Sequence, residues 1–477
     1  MTPRRLGWIC ALAVFAFGCA DSGFAQTSAN ASGSTAEDGN AAGDPADSTP
    51  VPLEDGNALK VKFGIEGKAN YRDSQHLAVV SPFPFPPDFL PPGATRSFLE
   101  TANEGQHLEI STFTLYATAS WGSSVEAHAK VDFIDLYDRN PTSSDKKVDV
   151  DELWIRFGQD PTTTLPESFG LYAKVGKFAH FERQNDRHTE SYGLISTAFN
   201  RFEDQGLEVG AAFGKHFYLK GSLTQGNPLF FRDPNALAAD NGSPDRDPSV
   251  QPNPDPTILS GFPIFYDAEV EDLDVDGDLE VGAGLGLRFG EPGSGHEINF
   301  LAWGYKRKLA TSVKLEGTFY GGDLDLLNGP FDSFSLPIHG DKKQEVGANL
   351  WIYEGSLTFF GQYVAQELAG MDRTGYEGEF AWKFELPLAW ATAGRQLFPY
   401  VQPVVRYSFL KPEFQGGSPS YPAPSVRWEW TKIDYGVRLG LIEGVDLTVE
   451  YADNEMTLAN GRKVSNDELL GTLRFKM

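Results

Sequence analysis

Residues 59–72 read LKVKFGIEGKANYR, and apolar side chains occupy every second position from Leu59 to Ile65. Polar residues or glycine fill the positions between them, from Lys60 to Glu66. A period of two places the apolar groups on one face of a β-strand and the polar groups on the other. A tilted strand needs about 9–11 residues to cross a bilayer, and this run is that long. The stretch therefore predicts a membrane-spanning strand.

The same alternation recurs along the whole chain. About sixteen segments begin near residues 59, 107, 124, 147, 168, 204, 215, 273, 296, 343, 356, 375, 397, 427, 445 and 466, with 14 or 18 as the alternative counts. Short turns such as Gly214-Lys215 and Glu354-Gly355 alternate with long polar stretches such as 226–271 and 309–342. This layout predicts an all-β fold, a transmembrane antiparallel β-barrel of about 16 strands with both termini on the short-turn rim.

The two ends of the chain suggest export to the outer membrane. Residues 1–25 resemble a signal peptide, although Cys19 leaves a lipoprotein signal as an alternative. Residues 26–58 are small and polar, which predicts a flexible periplasmic linker ahead of a barrel at 59–477. The last strand ends at Met477 and resembles the sorting signal read by the barrel-assembly machinery, although such signals usually end in Phe or Trp.

Composition excludes several classes of function. The chain carries 66 Asp and Glu against 40 Lys and Arg, so a basic nucleic-acid-binding face is not expected. Both cysteines precede residue 26, which excludes thiolate metal sites and cysteine nucleophiles from the mature chain. No enzyme activity and no cofactor are expected, because the eight histidines are scattered and no Gly-x-Ser-x-Gly occurs. No metal site is expected either, because the calcium-like run 272–278 lacks a glutamate at its twelfth position. A large soluble all-β protein would explain the alternation but not the alternating loop lengths.

The segment 175–178 reads VGKF and is followed by Phe181-Glu182-Arg183, then by Arg201 and a new strand. With the layout described above, this local pattern resembles the outer-membrane diffusion porins of Gram-negative bacteria, nearest to the phosphate-selective (O/P-type) porins. The resemblance implies a third loop folded into the lumen and a homotrimer. It also implies contact with outer-membrane lipid and lipopolysaccharide, and small solutes as cargo.

The third long connection, about 178–203, is the candidate pore constriction by this resemblance. The charged residues expected there are Glu182, Arg183, Asp186, Arg187, Glu190 and Arg201. Fixed arginines facing acids would set a transverse field on a passing ion. An ordinary exposed loop with solvated charges is the alternative.

The polar face of the strands is expected to line the lumen, with Lys60, Lys62, Lys130, Arg156, Lys174, Arg406 and Arg438 among its cations. Much of the acidic excess lies elsewhere, in the linker and in the stretch 226–278. We therefore predict a porin for passive diffusion of small hydrophilic solutes or ions, with a mild anion preference or none. The alternatives are a channel selective for phosphate, another anion or sugars, and a non-conducting structural or adhesin barrel.

Overall fold

The computed structural model describes residues 51–52, 58–75, 78–80, 98–100, 105–122, 124–134, 148–160, 168–184, 187–191, 193–199, 203–226, 258–260, 279–308, 342–368, 370–388, 390–392, 394–414, 428–458 and 461–477. The predicted signal peptide and most of the predicted linker lie outside these residues. No helix within them is long and apolar enough to cross a bilayer.

Sixteen long strands form one closed antiparallel barrel, as the sequence predicts. They are β1 (Ala58–Ser74), β2 (Gly105–Trp121), β3 (Val125–Ile134), β4 (Val148–Gly158), β5 (Phe169–Ala179), β6 (Glu203–Phe213), β7 (Phe217–Thr224), β8 (Glu280–Phe289), β9 (His296–Lys308), β10 (Lys342–Glu354), β11 (Leu357–Leu368), β12 (Met371–Trp382), β13 (Tyr400–Pro412), β14 (Glu429–Ile442), β15 (Val445–Thr457) and β16 (Glu468–Lys476). Each strand pairs with its neighbour in sequence, for example β1 with β2 and β15 with β16. Because β16 also pairs with β1, from Glu66 opposite Lys476 to Ser74 opposite Glu468, the sheet has no free edge there.

Short glycine turns define one rim of the barrel. Gly122, Gly214, Gly355 and Gly444 have φ of 58, 64, 58 and 76°, a backbone region that glycine enters without steric cost. One connection on this rim is longer and carries a small hairpin that pairs Ala391–Thr392 with Arg395–Gln396. Short strands outside the main sixteen also occur at Val51–Pro52, Ala78–Val80, Phe98–Glu100, Ile258–Ser260, Phe384–Glu385 and Lys463–Ser465.

In this barrel the exposed face of the sheet is apolar and the buried face is charged, which is the reverse of a soluble protein. Along β8 every second residue is buried and the residues between them, such as Val281 and Leu285, are exposed. Charged side chains such as Arg406, Asp434 and Glu208 are instead fully buried. A closed barrel with apolar side chains outside and charged ones inside matches a bilayer around it and a polar interior. The chain is therefore an outer-membrane β-barrel of a Gram-negative bacterium.

An apolar cluster interrupts this polar interior. The helix α1 (Leu194–Ala198) lies in the connection between β5 and β6, and its Leu194 and Ile195 are fully buried. They belong to one cluster with Trp428 and Trp430, whose rings stack with centroids 5.8 Å apart. The cluster links the connection to the β14 and β15 side of the barrel.

Candidate functional site

The connection between β5 and β6 makes its first set of contacts through Glu182. Tyr305 of β9 donates its hydroxyl to the Glu182 carboxylate at 2.5 Å. The backbone carbonyl of Glu182 accepts hydrogen bonds from Asn349 of β10 at 2.5 Å and from Gln362 of β11 at 3.2 Å. Glu182 has no exposed surface, so it acts as a fixed point of the connection.

A second set of contacts holds the backbone of residues 188–191. Glu379 of β12 accepts from the His188 N–H at 2.8 Å. Glu450 of β15 accepts from the N–H groups of Glu190, at 2.8 Å, and of Ser191, at 2.5 Å. Backbone donors bound to buried carboxylates make charge-assisted hydrogen bonds, which are the stronger kind. These strands therefore hold the connection by its main chain as well as by its side chains.

Two arginines of the barrel wall bind backbone carbonyl groups of the same connection. Arg406 of β13 donates to the Ser191 carbonyl at 2.8 Å and also pairs with Asp434 at 2.8 Å. Arg373 of β12 donates to the carbonyl of Ala198, the last residue of α1, at 2.8 Å. Because a helix leaves its final carbonyls without intrahelical partners, this contact also caps α1.

At residue 193 the backbone of the connection passes so close to Glu377 of β12 that only glycine fits. A Cβ added there would lie 1.8 Å from a carboxylate oxygen of Glu377, far inside van der Waals contact. Any other residue would have to move Glu377, which also accepts a hydrogen bond from Ser408 at 2.9 Å. The close approach of backbone to strand thus depends on the missing side chain.

The carboxylate of Glu190 lies among three cations. Its oxygens are 3.0 Å from Lys68 of β1, 3.2 Å from Arg438 of β14 and 4.0 Å from Arg474 of β16. Burial alone would raise the pKa of Glu190, but Lys68, Arg438 and Arg474 hold that pKa well below its ordinary value. The side chain therefore stays ionised over the physiological pH range.

His180 lies at the start of the connection, between two acids. Its Nε2 is 3.4 Å from Asp204 and its Nδ1 is 3.6 Å from Glu182. Burial would lower the pKa of His180, but the neighbouring carboxylates of Asp204 and Glu182 raise it to about 10. The imidazole is therefore cationic in the arrangement described.

The residues predicted for the constriction divide into three groups. Glu182 and Glu190 are buried contacts of the connection, as described above. Arg183 forms an ion pair with Glu203 while 28% of its side chain remains exposed, and Arg187 lies near Glu190. Asp186 and Arg201 lie outside the described residues.

The cations predicted for the lumen are mostly paired with acids of neighbouring strands. Lys130 contacts Asp132 at 3.1 Å and also Asp151, Arg156 lies 3.5 Å from Glu126, and Lys174 lies 3.1 Å from Glu208. Arg406 and Arg438 are the buried partners of the connection. Lys60 and Lys62 are exposed, because β16 pairs with β1 only from Glu66 onward.

Several residues of the site were not singled out from the sequence. They are Tyr305, Asn349, Gln362, Arg373 and Glu450. Strand periodicity assigns such residues to the polar face, but nothing in it shows that they meet this connection.

A closed sixteen-stranded barrel with an apolar exterior and a charged interior is the architecture of a transmembrane β-barrel of the outer membrane. No family model and no curated protein matches this chain. Among solved structures, OmpT of Vibrio cholerae in its trimer form is similar at 10% identity, covering 88% of this chain and 99% of that chain, with a TM-score of 0.47.

Two other solved structures show a similar layout. The outer membrane channel DcaP of Acinetobacter baumannii matches at 10% identity, covering 90% of this chain and 99% of that one, with a TM-score of 0.44. OmpF of Salmonella typhi, in complex with daunomycin, matches at 8% identity over 89% and 99%, with a TM-score of 0.45. Because these similarities are at 8–10% identity with TM-scores below 0.5, they do not carry the assignment. The assignment of this chain to the outer membrane rests on its own closed sheet and apolar exterior.

Proposed function

We propose that this chain is an outer-membrane porin, in which the connection between β5 and β6 lies inside the barrel and narrows a passage for small hydrophilic solutes and ions. The observation that carries the proposal is the attachment of this connection to the polar face. Its backbone binds Glu379 of β12 and Glu450 of β15, and its Glu182 binds Tyr305 of β9. All three partners are buried side chains of strands on one side of the barrel.

The opposite side of the barrel supports an open path for water. On β3 to β5, the side chains of Lys130, Lys177 and Asp149 retain 20, 26 and 34% of their accessible surface. Arg406, Glu379 and Asp434, on the strands that hold the connection, retain 0 or 1%. In this proposal the passage therefore runs between the connection and the wall formed by β3 to β5.

Charges of both signs line that wall. Lys177 lies 3.4 Å from Asp149, and Lys130 contacts both Asp132 and Asp151. Paired charges leave little net potential for either sign of ion, although they keep the wall wet. A mild anion preference or none is the expected selectivity.

A channel selective for phosphate or another anion is the second candidate. Lys68, Arg438 and Arg474 converge on one carboxylate, that of Glu190. Three cations around one oxyanion are also what a phosphate or carboxylate solute would need. A solute that competed with Glu190 for these cations would be retained in the passage rather than diffuse freely.

Planar-bilayer recording tests both candidates on the full chain folded in detergent. A porin gives stepwise conductance, and a salt gradient gives a reversal potential that reports ion preference. Block of the current by millimolar phosphate would favour the selective channel. No conductance from correctly folded barrel would refute the porin and favour a structural or adhesin barrel.

The constriction is tested in the same recordings with the double variant Arg183→Ala, Arg187→Ala. We expect a shift of the reversal potential toward cations, because two cations leave the narrowed zone. The double variant Lys342→Ala, Lys463→Ala removes two exposed charges that pair with Glu367 and Glu455, and serves as the matched control. An unchanged reversal potential in the first variant would contradict the constriction.

A homotrimer is part of the proposal and is tested separately. Mild extraction followed by light scattering, with detergent mass subtracted, measures the number of chains per particle. Contacts with lipopolysaccharide and with the barrel-assembly machinery stay predictions from the sequence.

A further inference from the structure

Three potential metal ligands meet where the β5–β6 connection leaves the barrel wall. They are His180, just after β5, Asp204 of β6 and Glu280 of β8. One ligand atom from each lies within 4.8 Å of the other two. The His180 Nε2 and the Asp204 Oδ2 are 3.4 Å apart. Three separate segments of the chain thus converge on one point.

Glu280 provides an independent indication of a missing partner. The residue has no exposed surface, and its Oε2 accepts from Lys343 at 2.6 Å. Its Oε1 is buried and has no hydrogen-bond partner within the described part of the chain. Leaving a buried carboxylate oxygen without a partner is costly, and a bound cation would satisfy it.

The surroundings of His180 match those of a metal-binding imidazole. Its Nδ1 faces the carboxylate of Glu182 at 3.6 Å, on the side away from Asp204. The ring of Tyr305 stacks on the imidazole with centroids 4.8 Å apart, and its hydroxyl holds Glu182. A histidine ligand commonly directs its second nitrogen at a carboxylate, which fixes the tautomer and the ring orientation.

Asp204 is positioned in a comparable way. Its Oδ2 accepts from the Gly226 N–H at 2.9 Å, and its Oδ1 accepts from the Gln205 N–H at 2.7 Å. Both of these donors are backbone N–H groups, so they hold the carboxylate in a fixed position. An oxygen that accepts one hydrogen bond still has a lone pair for a cation.

We propose that His180, Asp204 and Glu280 bind one first-row divalent cation, with Zn²⁺ as the test ion. One imidazole and two carboxylates suit Zn²⁺ or Co²⁺, whose bonds to nitrogen and oxygen are about 2.0–2.2 Å long. A small closing movement from the observed spacing brings all three atoms to that distance. The ion takes the place of the proton on the Nε2 of His180. It would tie the start of the connection to β6 and β8, whatever solute the barrel passes.

A second acidic group nearby lacks these features. Asp151, Glu152 and Glu203 also lie within reach of one another, but they offer no imidazole. This group is therefore not part of the proposal.

The test uses the full chain without a histidine tag, folded in detergent and freed of metal by a chelator. Zn²⁺ affinity is measured by competition with a chromophoric chelator, and bound Co²⁺ by its visible absorption. We expect one tight equivalent per chain, weakened at least tenfold by His180→Gln and by Asp204→Asn. Glu182→Gln removes the charge that faces the His180 Nδ1 but leaves the three proposed ligands in place, and should weaken binding by about 10- to 100-fold. His296→Gln is the matched control, because His296 pairs with exposed Glu354 at 2.9 Å on the short-turn rim.

Two results would overturn the proposal. One is a wild-type chain that binds no tight equivalent of Zn²⁺ or Co²⁺. The other is an affinity in His180→Gln equal to that of the wild type, which would place the ion at other acids. If His180→Gln does not fold, Glu280→Gln takes its place with the same expected loss. These measurements involve no conductance, so their outcome is separate from that of the porin proposal.

Discussion

The charge of Glu190 offers the sharpest test of how the connection acts on ions. In Glu190→Gln the side chain keeps its shape and loses its charge, while Lys68, Arg438 and Arg474 remain around it. The group of cations then carries one more uncompensated positive charge. We expect the channel to become more selective for anions.

The size of the effect follows from Coulomb's law. An ion passing about 8 Å away in water gains or loses about 0.5 kcal/mol from one unit charge. Because the sign is opposite for K⁺ and Cl⁻, the permeability ratio changes by about fivefold without screening. A Debye length of about 10 Å in 0.1 M salt reduces this to about twofold. The expected increase in the chloride-to-potassium ratio is thus about two- to fivefold.

Reversal potentials in a tenfold KCl gradient measure the ratio directly. Glu354→Gln is the control, since Glu354 is 67% exposed on the short-turn rim and lies far from the connection in the strand pattern. Equal reversal potentials for Glu190→Gln and the wild type would refute the idea that this carboxylate borders the ion path. A shift of the reversal potential toward potassium selectivity would refute the idea that the uncompensated positive charge of Lys68, Arg438 and Arg474 attracts anions.

Three further predictions concern the same segment. Trp430→Ala removes a fully buried ring from the cluster around α1 and should lower the free energy of unfolding by about 3–5 kcal/mol, seen as a lower unfolding midpoint in detergent, whereas Trp390→Ala, at 61% exposure, should not. Gly193→Ala should cost about 1–3 kcal/mol by overpacking, while Gly378→Ala, whose Cβ would meet its nearest neighbour at 3.8 Å, should keep the wild-type midpoint. Because nearby cations depress the pKa of Glu190, the carboxylate loses its charge only when the pH falls through that lowered value. The difference in ion selectivity between the wild type and Glu190→Gln should therefore persist from pH 8 to pH 4. If this difference disappeared near pH 4.5, the pKa shift would be contradicted.

Local patterns were enough to derive the barrel. Alternation with period two reports which face of a strand is apolar, and it needs only neighbouring residues to be seen. Glycines such as Gly214 and Gly355 marked the short turns because only a left-handed backbone closes them. The strand expected to begin near residue 273 is found as β8 from Glu280, and residues 273–278 lie outside the described residues.

The contacts of the connection could not be derived in this way. Ser191 donates its N–H to Glu450, a residue 259 positions away, and Arg406 reaches the Ser191 carbonyl across 215 positions. Alternation places Glu450 and Arg406 on the polar face but does not say what they touch there. The same holds for Glu182, whose role as a buried contact rather than a solvated charge depends on Tyr305.

By itself the sequence therefore determined the barrel, its strand number and the polarity of its two faces. Within each strand, apolar residues that face the bilayer alternate with polar residues that face the interior, and this alternation is visible in the sequence alone. Tertiary structure alone decided that one connection is held by strands β9 to β15, and that His180, Asp204 and Glu280 meet. Such contacts join segments far apart in the chain, and their energy depends on burial and charge pairing that exist only after the barrel has closed.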